Sequence, residues 1–234
     1  MLMNAMQKSL VFLVLILGLA TTLAHDTVVG KGKTLTFGPN AQIDNLIVCD
    51  GAKATLTGVR VKGNIKVLSG GKLCLHGSKV RGSVQAEHAT GILVNGGTCI
   101  QGNLQVKKSY GKVKVCAATI KGDVQLEENK LEAIVLIGNE VWQDVQLSKN
   151  LVTGGVEVKQ NDVGGNIQFQ ENDALRMAIK ANAVLGNLQV FKNYAGEQIC
   201  VSDNDIGGNL QCGENDPDPI HANNHVDGNI ECNE

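Results

Sequence analysis

The sequence predicts an all-β chain folded as a single parallel β-helix, a right-handed solenoid of nine to ten stacked coils. Three observations predict it. A short pattern, [VI]-x-G-[NDS]-[ILV]-[QEK]-[hydrophobic], recurs along most of the chain. Each copy alternates apolar and polar positions, which is the periodicity of a strand. The composition has 28 Gly, 3 Pro and only 3% aromatic residues, which suits a narrow core of Val, Ile and Leu better than a wide one.

The chain begins with the marks of an export signal. Lys8 precedes an apolar run from Leu10 to Leu17, and the small residues of Thr22-Leu23-Ala24 follow. Residues 1–24 are therefore expected to be a signal peptide, with His25 as the new N-terminus. The apolar run is shorter than the ~20 residues of a membrane span, so no span is expected after cleavage. The expected location is secreted, or periplasmic in a Gram-negative bacterium.

The solenoid follows. Residues 25–43 are read as an N-terminal cap with the first strands, 44–212 as the coils, and 213–234 as the last coil with a C-terminal cap. Clear copies of the pattern centre on Gly63, Gly82, Gly102, Gly122, Gly165, Gly186, Gly208 and Gly228, with Gln143 in the glycine slot of a degenerate copy. The steps are 19, 20, 20, 21, 22, 21, 22 and 20 residues. A second alternation, as in Leu73-Cys74-Leu75 and Ile134-Val135-Leu136, adds another strand per coil. The Val or Ile two residues before the Gly marks a shorter third strand. The recurring Gly is expected to turn a corner at positive φ. Gly154-Gly155-Val156-Glu157-Val158 reads as an intruding half-period copy.

The copies Asn204–Cys212 and Asn224–Cys232 resemble the N-x-V-x-G-N-L-Q-C repeats of secreted microbial β-solenoid proteins of uncharacterised function. The general shape is similar to right-handed β-helices of the pectate-lyase type and to bactofilins. The export signal separates this chain from the cytosolic bactofilins, and it lacks the acid- and Arg-bearing loops of the lyases. The resemblance implies the fold and no particular activity.

Seven cysteines leave at least one thiol outside intramolecular pairing. Cys212 and Cys232 occupy the same repeat position and are expected to form a disulfide between stacked strands. Metal readings are weaker. His221 and His225 lie between those two cysteines in a conceivable zinc arrangement. Asp203, Asp205, Glu214, Asp216 and Asp218 form an acidic group that matches no calcium loop. No metal, cofactor or catalytic constellation is expected.

Charge is divided along the chain. Residues 51–121 contain twelve cations and one acid, Glu87, whereas residues 122–234 contain 19 acids and six cations. In a solenoid, sequence order is spatial order, so one half is basic and the other acidic. Lys62, Arg81 and Lys121 share the position before the repeat Gly and are expected to stack outward, and with Lys66 they form the candidate binding residues. Two uses follow: docking of an acidic polysaccharide or anionic surface, or head-to-tail self-assembly between opposite halves. Nucleic acid is not expected, given the export signal and the lack of aromatics for base stacking. Gln85, Gln105, Gln125, Gln146, Gln168, Gln189 and Gln211 should form an outward column of stacked amides.

The functional expectation is an exported, non-catalytic structural or glycan-binding rod that can self-assemble through its opposed halves. Two alternatives stay open: a polysaccharide-active lyase or hydrolase of β-helix type, and an ice- or crystal-binding protein. The pairs Thr34/Thr36 and Thr55/Thr57 do not continue as an ice-binding face would require.

Overall fold

The computed structural model describes Thr22–Leu23 and Asp26–Cys232. The expected signal peptide lies almost wholly outside these residues, as does His25. Among the described residues there is no helix, and every strand pairing is parallel. The strands form three sheets of 11, 11 and 10 strands, and the chain visits the sheets in rotation, one strand each per coil.

One coil shows the plan. Arg60–Val61 belongs to a sheet of two-residue strands, here the short sheet. Ile65–Val67 belongs to the glutamine sheet and Lys72–His76 to the long sheet. Lys79–Val80 then lands in register on Arg60–Val61, one coil further along. At roughly 4.8 Å per coil, ten coils make a rod about 45 Å long. Alternate side chains point inward, so Ile65, Val67, Leu73, Leu75 and Val80 are buried while Lys66, Lys72 and Lys79 are exposed.

Coils are present at both ends. Thr27–Val29 and Thr34–Phe37 already pair with Leu46–Val48 and Lys53–Thr57, so residues 27–43 form a coil rather than a cap. At the other end Ile220–Ala222, His225–Val226 and Ile230–Cys232 form the last coil among the described residues. Among the described residues nothing covers that coil: Ile230 stacks on the fully buried Leu210 yet is 54% exposed. The disulfide between Cys212 and Cys232 closes a 20-residue separation and ties this coil to the one before it.

The repeat glycines correct one expectation. None of the eight has positive φ. They are required because coils approach closely at the corner between the short and glutamine sheets. A Cβ on Gly208 would lie 2.5 Å from Asn187 Oδ1 and 2.8 Å from the carbonyl oxygen of Gly186. The same collision, with a side-chain oxygen and the backbone of the preceding coil, recurs from Gly82 to Gly228. That oxygen is a structural bond. Asn64 and Asn103 lend Oδ1 to the backbone amides of Ser83 and Asp123, and Asn187 does the same for Asn209.

Positive φ occurs instead at the other two corners, mostly in ordinary residues such as Glu128, Lys149, Gln160 and Lys192. A left-handed turn costs an L-residue about 1–2 kcal/mol. In the second half of the rod each such residue is followed by an Asn, and these asparagines form two internal ladders. Asn129, Asn150, Asn172 and Asn193 line one corner, and Asn139, Asn161, Asn182 and Asn204 the other, all buried. Asn172 Oδ1 accepts from the backbone amide of Asn150 at 3.2 Å and from its Nδ2 at 2.8 Å. Asn172 Nδ2 donates to the carbonyl of Leu147 at 2.8 Å and to Asn193 Oδ1 at 3.0 Å. Every buried polar side-chain atom among the described residues has a partner.

The lengthening of the repeat from 19–20 to 21–22 residues is absorbed by the long sheet. Its strands grow from five residues at Lys72–His76 to nine at Leu151–Lys159, with register shifts between Gly111 and Lys112 and again between Val152 and Gly155. The apparent half-period copy at Gly154–Val158 is this bulged strand.

Four substitutions test this reading of the corners. Gly208→Ala is expected to cost about 2–3 kcal/mol because backbone must move. Gly97→Ala, at φ 74° with nothing within 4 Å of a new Cβ, should cost only about 1 kcal/mol of backbone strain. Asn172→Ala leaves a buried amide and a buried carbonyl unpaired, at about 2–4 kcal/mol. Asn172→Ser should lose less, since Ser109 occupies an equivalent place and accepts from the amide of Ala89 at 3.0 Å. Urea unfolding of the four variants checks the order.

Candidate functional site

The solenoid sorts side chains into columns, and the candidate residues fall into two of them. The first runs along the corner between the short and glutamine sheets. Lys62, Arg81, Gln101 and Lys121 occupy equivalent places there. Each donates its backbone amide to the preceding coil, to Ile43, Val61, Val80 and Ile100 respectively. The expected stacking of Lys62, Arg81 and Lys121 is therefore present. Lys66 is elsewhere. It sits on the glutamine sheet, directly in register with Gln85, at the head of the glutamine column.

A parallel column on the short sheet, missed in the sequence, completes the basic patch. Arg60 and Lys79 are in register with each other and adjoin Lys62 and Arg81. Each sits two residues before a corner cation, a spacing visible as Arg60-Val61-Lys62 and Lys79-Val80-Arg81. Four exposed cations thus share one face of two neighbouring coils. Lys62 pairs with Asp44 at 3.1 Å. Arg60, Lys79 and Arg81 make no ion pair among the described residues. Arg60, Lys79 and Arg81 also line a shallow depression of about 220 Å³ with Cys99 and Gln101.

Further along the same face the sign reverses. The short-sheet column continues through Cys99 and Thr119 to Glu140 and Asp162, then through Ala183 to Asp205. The corner column passes from Lys121 to Trp142, which is 51% exposed. Lys121 Nζ lies 4.2 Å from the centre of the Trp142 ring, and Trp142 Nε1 donates to Glu140 at 3.0 Å.

The glutamine column forms as expected. Gln85 donates to Gln105 at 3.1 Å and Gln105 to Gln125 at 2.7 Å. Gln189 donates to Gln211 at 2.8 Å, and Gln211 to Glu231 at the same distance. These amides are committed to one another along the rod axis. Beside the column lies an open groove of about 480 Å³ that includes Lys66, Glu87, Lys107 and Glu127. Glu87, Lys107 and Glu127 stack in register, and Lys107 Nζ bonds Glu127 at 3.0 Å. That bond to Glu127 raises the Lys107 pKa above its ordinary value. The same ammonium lies 4.0 Å from Glu128.

No family model matches the chain, and no curated protein or solved structure matches it either.

The remaining candidates resolve simply. The disulfide consumes both thiols of the zinc arrangement that His221 and His225 had suggested. Among the described residues, no group of three His, Cys, Asp or Glu side chains is arranged to hold a metal ion. Asp203, from the acidic group, accepts from the Ser202 hydroxyl at 2.8 Å and from Asn223 Nδ2 at 3.2 Å. The Ser202 bond first, then Asn223, lowers its pKa. Thr36 stacks on Thr55, but the next place in that column is Cys74, so the threonine row stops after two coils.

Loss of the disulfide should loosen the terminal coil alone. Cys232→Ser is expected to remove about 3 kcal/mol of stabilisation from a loop of this size. Hydrogen exchange should then accelerate at residues 220–232 and stay unchanged near residue 120.

Proposed function

We propose that the protein is an exported, non-catalytic rod that docks onto an acidic polysaccharide through the basic face at Arg60, Lys62, Lys79 and Arg81. One observation carries this reading. In each of two columns, like charges are stacked in directly adjacent coils: Arg60 against Lys79, and Lys62 against Arg81. Like charges opposite each other in a sheet are destabilising. Of the four, only Lys62 has an acidic partner among the described residues.

A polyanion removes that repulsion. Its acidic groups would lie across two columns of cations set about 4.8 Å apart along the rod. The two guanidinium groups suit carboxylates because they bind them bidentately. A rigid, straight scaffold adds to this by holding the cations in place before binding, so little side-chain ordering is left to the encounter. Lys121 belongs to the same corner column but is held over Trp142, and it extends the positive field toward the middle of the rod. Lys66 lies on another face and takes no part.

Binding to polygalacturonate and alginate by isothermal titration, at 20 and 300 mM salt, tests this. The mature protein should bind in low salt and weaken steeply as salt rises, because counterions are released. Arg60→Ser, Lys79→Ser and Arg81→Ser together should weaken low-salt binding about tenfold or more. Lys66→Ser should leave it unchanged. Equal binding by the triple variant would overturn the assignment of this face.

A further inference from the structure

The basic patch has an acidic counterpart on the same face of the same molecule, and the spacing between the two is self-complementary. Coils are counted along the short sheet by the residue each presents: Arg60, Lys79, Cys99, Thr119, Glu140 and Asp162. The order is two cations, two neutral residues and two acids. Turning a second copy end over end about an axis between the Cys99 and Thr119 strands sets Lys79 against Glu140 and Arg60 against Asp162. The same operation, on the adjoining corner column, sets Arg81 against Trp142 and Gln101 against Lys121.

We propose that this face binds a second copy of the chain in an antiparallel, closed dimer, with Arg60 and Lys79 of each copy meeting Asp162 and Glu140 of the other. The proposal rests on the reading of this face as an anion-docking surface and names its occupant when no polysaccharide is bound.

Four observations support it. Arg60, Lys79, Glu140 and Asp162 are all exposed. Arg60, Lys79 and Asp162 make no ion pair among the described residues. Among the described residues, Glu140 is engaged only by the neutral donors Thr119 and Trp142. Trp142, a large half-exposed side chain, lies beside this acidic pair, opposite the guanidinium of Arg81, which can stack on its ring.

The geometry of a solenoid favours lateral over end-to-end association. Side chains project perpendicular to the rod axis, so the charge columns are presented on the sides. The terminal coils present strand edges and core residues such as Ile230 instead. A parallel, staggered contact would also bring opposite charges together. It would satisfy only one half of each rod per contact and would grow without closing. The antiparallel arrangement satisfies both halves at once.

Sedimentation velocity on the mature protein, with two charge-reversed variants, decides the matter. The variants are Arg60→Glu/Lys79→Glu and Glu140→Lys/Asp162→Lys, each checked for folding by circular dichroism. A milder Arg60→Gln/Lys79→Gln variant is held in reserve should reversal disturb folding. The wild type is expected to be a dimer in low salt and a monomer in high salt. Each variant alone should weaken dimerisation about 100-fold or more, and an equimolar mixture should restore it as a heterodimer. Adding polygalacturonate should dissociate the wild-type dimer. Oligomers that grow with concentration would overturn the closed dimer. So would variants that dimerise as the wild type does, or a mixture that fails to recover. A wild type that is monomeric in low salt yet binds polygalacturonate would overturn the dimer and leave the docking surface standing.

Discussion

Each coil of this protein is held chiefly by the coils on either side of it. A single coil is too thin to enclose a core, and its strands have no partner within their own turn. Parallel pairing at one coil per step therefore governs every other feature. Whatever residue stands at a repeat position must tolerate its own neighbour about 4.8 Å away. The inward positions meet this demand with Val, Ile and Leu. The corners meet it with amides. An asparagine side chain has two donors and an acceptor, so it can bond to the coil before and the coil after at once. The two buried Asn ladders supply what a narrow hydrophobic core cannot, which is a fixed register.

That constraint decided how much was legible in the sequence. The period, the alternation, the three strands per coil, the glutamine column and the Cys212–Cys232 pairing all follow from stacking like on like. The chemistry of the corners was harder to see. The repeat glycines were read as residues of positive φ, but their role is steric: Gly208 has no room for a Cβ beside Asn187 and Gly186. Left-handed residues such as Glu128 and Lys192 carry no local signature of their own. The signal is the Asn that follows each one, recurring at 129, 150, 172 and 193, and it was visible as a periodicity. The register shift at Val152–Gly155 was also hidden, because a bulge preserves apolar alternation on both of its sides.

The candidate surface was legible by the same logic and incomplete for the same reason. Lys62, Arg81 and Lys121 share a repeat position and so a column. Arg60 and Lys79 belong to the neighbouring column, and only the three-sheet arrangement shows that the two columns adjoin on one face. Lys66 lies just four residues after Lys62, yet the intervening corner sends it to a different sheet. In a solenoid, distance along the chain predicts axial position well and says little about which face a residue occupies. Here the division of charge seen in the sequence becomes a sign reversal along a single side of the rod.

Hydrogen exchange across the solenoid, resolved to single amides, tests the stacked-coil account most directly. Protection should repeat every 19–22 residues and include the buried corner amides of Asn150, Asn172 and Asn182, each of which donates to an asparagine of the next coil. It should fall away only in the terminal coils. Corner amides that exchange as fast as exposed loop amides, or protection confined to a few contiguous blocks, would contradict it.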